Sequence, residues 1–225
     1  LAYIVLPKPF HLPEVAMFRL STLAISLACA AAFAAAFTVT SPSVFAAAAP
    51  GQAAPDFTLT TTDGKPAKLS DYKGKFVVLE WVNPGCPFVQ RHYGSRNMQG
   101  LQKEYGGKEV VWLSINSTNP GSADYMKPAE LGAWMQKEGG APRATLMDEK
   151  GDAGRAYGAR TTPQMVVISP EGKLLYNGAI DDKRFASVEE TKTAKNYVRA
   201  ALTEGMAGKP VTVATSTPYG CSVKY

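Results

Sequence analysis

The residue types that could carry chemistry gather around one thiol. Cys86 stands between Gly85 and Pro87 in the segment Glu80-Trp81-Val82-Asn83-Pro84-Gly85-Cys86-Pro87-Phe88. A thiol attacks as its thiolate, and the first turn of a helix stabilises that anion with unpaired N–H groups. Pro84 and Gly85 break the chain just before, so Cys86 is expected at a helix start. The alternative is a small buried hydrophobe, the usual fate of a lone cysteine. Glu80 is the single charged residue in the run Phe76–Val82. Burial should raise its pKa and suit it to shuttling protons near neutrality. The alternative is an edge-strand glutamate facing water. Cys221 is a second thiol near the end of the chain, and a structural or idle role is its alternative.

The elements that must position these groups alternate strand and helix. Strands are expected over 57–60, 76–82, 110–115 and 144–147. A hairpin is expected over 165–168 and 173–176, turning through Ser169-Pro170-Glu171-Gly172. Helices are expected over 86–105, with a kink at Gly94, over 128–138, and over 189–206, with a helical turn over 150–157. Residues 209–225 read as a tail. This order, βαβ followed by ββα, predicts an α/β class, a three-layer α/β/α sandwich around a mixed sheet.

Trp81-Val82-Asn83-Pro84-Gly85-Cys86-Pro87, the later Thr161-Thr162-Pro163 and the opening Ala54-Pro55-Asp56-Phe57 together resemble the thioredoxin superfamily. Within it they are most similar to the redoxin branch, the AhpC/TSA and thioredoxin-like thiol-disulfide oxidoreductases. Asp63-Gly64-Lys65 and Leu69-Ser70-Asp71-Tyr72-Lys73-Gly74-Lys75 strengthen the match. The resemblance implies Cys86 as the nucleophile, Glu80 as the buried acid beneath it, and Pro163 as a cis-proline facing the sulfur. Thr162, Pro163, Trp81 and Pro87 are then the expected substrate groove; core packing explains Trp81 equally well.

The chain departs from its relatives' patterns. Val89 stands where a thioredoxin has its second cysteine, and Leu79 and Asn83 stand where a peroxiredoxin has Pro and Thr/Ser. Arg160, Arg91 and Arg143 are candidates for the family's catalytic arginine, with surface charge as the alternative. Cys221 is therefore the expected internal resolving thiol. Extended, the segment 207–221 reaches about 45 Å, against a radius of gyration of about 15 Å for such a domain. Closure within one chain is feasible, and a disulfide between two copies is its rival. Gly220 and the Ser/Thr/Pro approach suggest a mobile thiol. His92 is expected to be solvated or to support the site indirectly. One local cysteine and one histidine make no metal set, so no metal and no cofactor are expected.

The 225 residues carry three cysteines and a net charge of +5. No block of Lys or Arg exceeds two residues, so nucleic acid is not an expected partner. Arg19, the alanine-rich run Leu20–Phe37 and Val44-Phe45-Ala46 read as a secretory signal starting at Met17 and cleaved after Ala46. Cys29 leaves with it. An uncleaved membrane anchor and a lipoprotein box over Ser26–Cys29 are the alternatives. The expected organisation is an extension and signal over 1–46, a redoxin domain over 47–206, and a tail over 207–225. The expected setting is periplasmic or secreted, where disulfides persist. The expected function is thiol redox chemistry on a disulfide of a partner protein or on a small peroxide, reset by an external reductant. A redoxin-fold binding module without turnover is the alternative.

Overall fold

The computed structural model of the protein describes residues 47–106 and 109–225. The expectations placed on residues 1–46, Cys29 and the signal included, lie outside them. Among the described residues nine strands and six α-helices follow in chain order, with a 3-10 helix, Leu69–Tyr72, after the second strand. They are β1 Thr58–Thr61, β2 Pro66–Lys68, β3 Phe76–Trp81, α1 Pro87–Gly94, α2 Asn97–Tyr105, β4 Val110–Asn116, α3 Pro128–Lys137 and β5 Ala144–Met147. Then come α4 Asp152–Ala156, β6 Thr161–Thr162, β7 Gln164–Ile168, β8 Leu174–Gly178, α5 Val188–Thr191, α6 Tyr197–Met206 and β9 Cys221–Ser222.

Seven strands make one mixed sheet in the order β2-β1-β5-β4-β3-β7-β8. The central strand β3 runs parallel to β4 and antiparallel to β7. Buried on both faces, β3 and β4 are the near-continuous apolar runs that their sequences announce. The strand period of two divides β3 between two cores. Val77, Leu79 and Trp81 pack with Leu113, Ile115 and Tyr157. Val78 and Val82 face the other way, into a core built with Cys86, Val89 and Tyr93 and with Val198 and Leu202 of α6. The α/β sandwich around a mixed sheet is as expected.

Two expected helices divide. The helix expected over 86–105 breaks at Ser95–Arg96, where Arg96 takes a left-handed φ of 62°. That turn lets Tyr93 and Met98 enter the same core. The helix expected over 189–206 is α5 and α6. Asn196 caps α6 by accepting from the Arg199 N–H, and the preceding Lys195 N–H is held by Asp182. At this second break the new N-terminal end is capped by Asn196, which lowers the cost of the interruption.

The expected tail is part of the domain. The Asn177 N–H donates to Ala214 O, and the Ser216 hydroxyl is bonded to Tyr176. The chain then returns as β9, paired antiparallel with β6 in a separate two-stranded sheet.

Candidate functional site

Cys86 is the residue that starts α1, in extended backbone at φ −82° and ψ 121°. Asn83 builds the turn before it. The Asn83 side chain accepts from the Gly85 N–H at 2.8 Å, and the Cys86 N–H donates to Asn83 O at 3.0 Å. Pro87 occupies the first helical turn, where its missing N–H costs nothing. The sulfur is 2% exposed with its residue. It lies 3.0 Å from Thr162 O, the carbonyl of the cis Thr162–Pro163 bond. Thr162 and Pro163 are buried beside Cys86, and Pro87 is exposed at the rim.

Cys221 is brought to the same place. Its backbone pairs with Thr162 across β6 and β9, and both thiols are free. Burial alone pushes the Cys86 thiol up. The Cys221 thiol, the Val89 N–H, Thr162 and the Cys221 N–H outweigh it and hold Cys86 below its ordinary value. Val89 is the third residue of the helix, the position whose N–H a capping side chain normally receives. The Thr162 hydroxyl is buried with no hydrogen-bond partner, which leaves it available as a donor to a thiolate. Cys221 moves the opposite way: burial, then its bond to Cys86, then the Cys86 charge push it up to about 12. The pair thus has one member poised to ionise and one that keeps its proton.

Glu80 is fully buried on β3. Burial raises its carboxyl above the ordinary 4.5, against the lowering by Trp112, Tyr93, Ser114 and Gln102. The Trp112 indole donates at 2.8 Å, the Tyr93 hydroxyl at 2.9 Å and the Ser114 hydroxyl at 3.0 Å. No hydrogen bond joins Glu80 to Cys86. Trp81 lies in the core on the opposite sheet face, packed on Tyr157, with its indole donating to Ser117 Oγ. Of the residues expected to line a groove, Thr162 and Pro163 lie beside Cys86 and Pro87 follows it, whereas Trp81 does not, because β3 alternation turns its side chain away.

His92 is not solvated. It is fully buried, with Nδ1 facing the Asn97 amide at 2.9 Å and Nε2 facing the Tyr219 hydroxyl at 3.1 Å. Burial and then the Arg91 charge push its pKa down to about 3, so it is neutral. Arg160 and Arg143 are exposed. Arg91 is half-buried and donates to the Arg184 and Ala186 carbonyls and to the Tyr219 hydroxyl. Sequence reasoning assigns Tyr219 and Asp181 no role at the site; a tyrosine two residues before Cys221 is the available signal. Among the described residues no group of three or more His, Cys, Asp or Glu side chains could hold a metal ion.

The AhpC/TSA family model matches residues 50–177. The thiol-disulfide oxidoreductase ResA of Bacillus subtilis is 26% identical over 125 residues, which cover 56% of this chain and 64% of that protein. ResA of Bacillus thuringiensis is 24% identical over 56% of this chain and 66% of its own length. The chain thus spans just under two thirds of these relatives. An uncharacterised conserved protein from Geobacillus kaustophilus superposes with a TM-score of 0.68 at 28% identity, covering 81% of this chain and 94% of that one. A hypothetical protein from Sinorhizobium meliloti gives 0.69 at 24% identity, over 80% and 96%, a likeness of fold alone.

Proposed function

Because the chain belongs to the AhpC/TSA family, we propose that it is a thiol-disulfide oxidoreductase working through a Cys86–Cys221 couple. The supporting observation is the pairing of Cys221 with Thr162, which sets the second thiol against Cys86. The relatives named as thiol-disulfide oxidoreductases add support.

In the reduced protein the Cys86 thiolate attacks one sulfur of a substrate disulfide. A mixed disulfide forms and one substrate thiolate leaves. The Cys221 thiol then gives up its proton and attacks the Cys86 sulfur of that mixed disulfide. The second substrate thiolate leaves, and the Cys86–Cys221 disulfide remains. The substrate has gained two electrons, and an external dithiol returns the protein to its starting state. Glu80, buried beneath this face of the sheet, is proposed to take part in the proton exchange. A disulfide is preferred over a peroxide because Asn83, where peroxiredoxins have Thr/Ser, has its amide committed to Thr118 and Gly85. An exported setting, with residues 1–46 as the signal, is part of the proposal.

The test is oxidation of the full chain with glutathione disulfide, followed by mass mapping. The expected product links Cys86 to Cys221 within one chain and has lost two hydrogens. A chain whose thiols stay reduced at every ratio of oxidised to reduced glutathione refutes the couple and favours a binding module.

A further inference from the structure

The last seven residues form a strap with two anchors, and Cys221 lies between them. The first anchor is Tyr219, 5% exposed. Its hydroxyl donates to Asp181 Oδ1 at 2.5 Å, accepts from Arg91 at 3.1 Å and lies 3.1 Å from His92 Nε2. The Arg91 guanidinium lies 3.3 Å from the same His92 nitrogen, so the four side chains form one cluster. The ring stacks obliquely on Phe88, the second residue of α1, with centroids 5.8 Å apart. The second anchor is Tyr225. Its hydroxyl donates to Ala159 O at 2.6 Å, and its ring is covered by the Arg155 guanidinium at 4.5 Å. A Cβ on Gly154 would meet that hydroxyl at 2.4 Å, so the site is shaped for the ring.

Between the anchors the strap follows the edge of β6. The Val223 N–H donates to Arg160 O at 3.0 Å, and Thr161 and Thr162 face Ser222 and Cys221. A Cβ on Gly220, at φ +137°, would sit 2.0 Å from Thr162 O. The strap thus fills the free edge that an extended polypeptide would otherwise use.

We propose that Tyr219 is a positioning residue for the Cys86–Cys221 couple: tied to Asp181, His92 and Arg91, it locks the strap on Thr162 so that Cys221 meets Cys86 in place and other polypeptides are kept off that edge. This rests on the couple proposed above. Asp181 is buried with Oδ2 unpartnered, a costly arrangement that the Tyr219 bond partly compensates. The same docking supplies the Cys221 N–H and thiol to Cys86. Lock and second thiol are thereby linked through one intervening residue, Gly220.

The test compares full-length wild type with Tyr219→Phe, Tyr219→Ala, Asp181→Ala and the Tyr219→Phe/Asp181→Ala double variant. One readout is the equilibrium constant of the internal disulfide against glutathione. The other is the alkylation rate of Cys86 by a bulky maleimide in the reduced protein. Tyr219→Ala is expected to lower the equilibrium constant at least about tenfold and to speed alkylation, the lost constant being about 1.4 kcal/mol of positioning for each factor of ten. Tyr219→Phe keeps the ring on Phe88 and is expected to lose less. Tyr219→Phe and Asp181→Ala share only the Tyr219–Asp181 bond, so the double variant is expected to lose more than Asp181→Ala but less than the sum of the two single losses. Unchanged values in both Tyr219 variants overturn the lock, while the wild type still forms its disulfide. A wild type that never forms the internal disulfide overturns the couple instead, and with it the positioning role; faster alkylation in Tyr219→Ala then supports only the closed edge.

Discussion

The two thiols stand in opposite kinds of structure. Cys86 begins a helix that is packed into the larger core through Val89 and Tyr93, on a loop fixed by Asn83. Cys221 lies on a two-residue strand at the edge, half-buried, and is held from either side by a tyrosine hydroxyl. The first region owes its geometry to burial of contiguous apolar surface. The second reaches that core through one ring, Tyr219, and owes the rest of its geometry to a handful of hydrogen bonds and to the Tyr225 ring against Arg155. Core packing is worth several kcal/mol per large side chain, whereas a net hydrogen bond contributes about 1 kcal/mol. Cys86, the proposed nucleophile, is therefore set in the more firmly packed region, and Cys221, its proposed partner, in the more easily displaced one. An exchange that passes through a mixed disulfide needs that asymmetry, since the substrate must occupy space next to Cys86 before Cys221 arrives.

The comparison breaks completely if either thiol can be lost without consequence. Cys86→Ser is expected to abolish exchange with glutathione disulfide, leaving the background rate of Cys221, whose raised pKa leaves few thiolates at neutrality. Cys221→Ser should still form a mixed disulfide at Cys86 but fail to release it. Trapping that adduct by mass spectrometry checks both outcomes. If Cys221→Ser turns over like wild type, resolution comes from outside the chain.

Next in size is Gly220→Ala. The new Cβ has nowhere to go, since Thr162 O is backbone and φ is +137°. Strain of this kind costs about 1–3 kcal/mol, and it should fall on the strap rather than on the sheet. The expected signature is a weaker internal disulfide and freer alkylation of Cys86, with a melting transition close to wild type. Gly94→Ala meets nothing within 4 Å and serves as the control. A Gly220→Ala protein that melts far below wild type would show that the strap is structural core after all.

Legibility in the sequence follows the same division. The runs Phe76–Val82 and Val110–Ile115 announce their strands because burial on both faces demands unbroken apolar sequence. Cys86, flanked by Gly85 and Pro87, announces its place at the helix start for local reasons. The strap is invisible to such reasoning. Tyr219, Gly220 and Tyr225 have meaning only against Asp181, Thr162 and Gly154, which are distant in the chain. Periodicity also misses breaks set by capping, as at Asn196, and it cannot say which way Trp81 points until the register of β3 is known. The sequence leaves His92 open between a solvated side chain and one that supports the site indirectly, because its partners, Asn97 and Tyr219, meet it only after α1 has turned and the strap has docked.

The smallest and most discriminating effect concerns Glu80. Its folded pKa lies above the ordinary 4.5, chiefly because it is buried. An acid shifted this way binds more protons in the native state than in the unfolded state between the two values. Native stability therefore falls as pH rises from about the ordinary carboxylate range through the folded pKa, and it levels off above that. Each pH unit between the two values corresponds to about 1.4 kcal/mol. Glu80→Gln should flatten this slope, measured as the difference between urea midpoints of variant and wild type across pH 4 to pH 8, about the range in which a buried carboxyl titrates. Asp181, also raised mainly by burial, gives a slope of the same sign in both proteins and cancels in the difference. The glutamine oxygen still accepts from the Trp112 indole, and its amide can donate to the Tyr93 hydroxyl oxygen, so the fold should persist. If Glu80 exchanges protons with the couple, the same variant must also change the pH dependence of the exchange rate. If only the stability slope changes, Glu80 belongs with the rigid region alone, and the chemistry rests on Cys86, its helix and the strap.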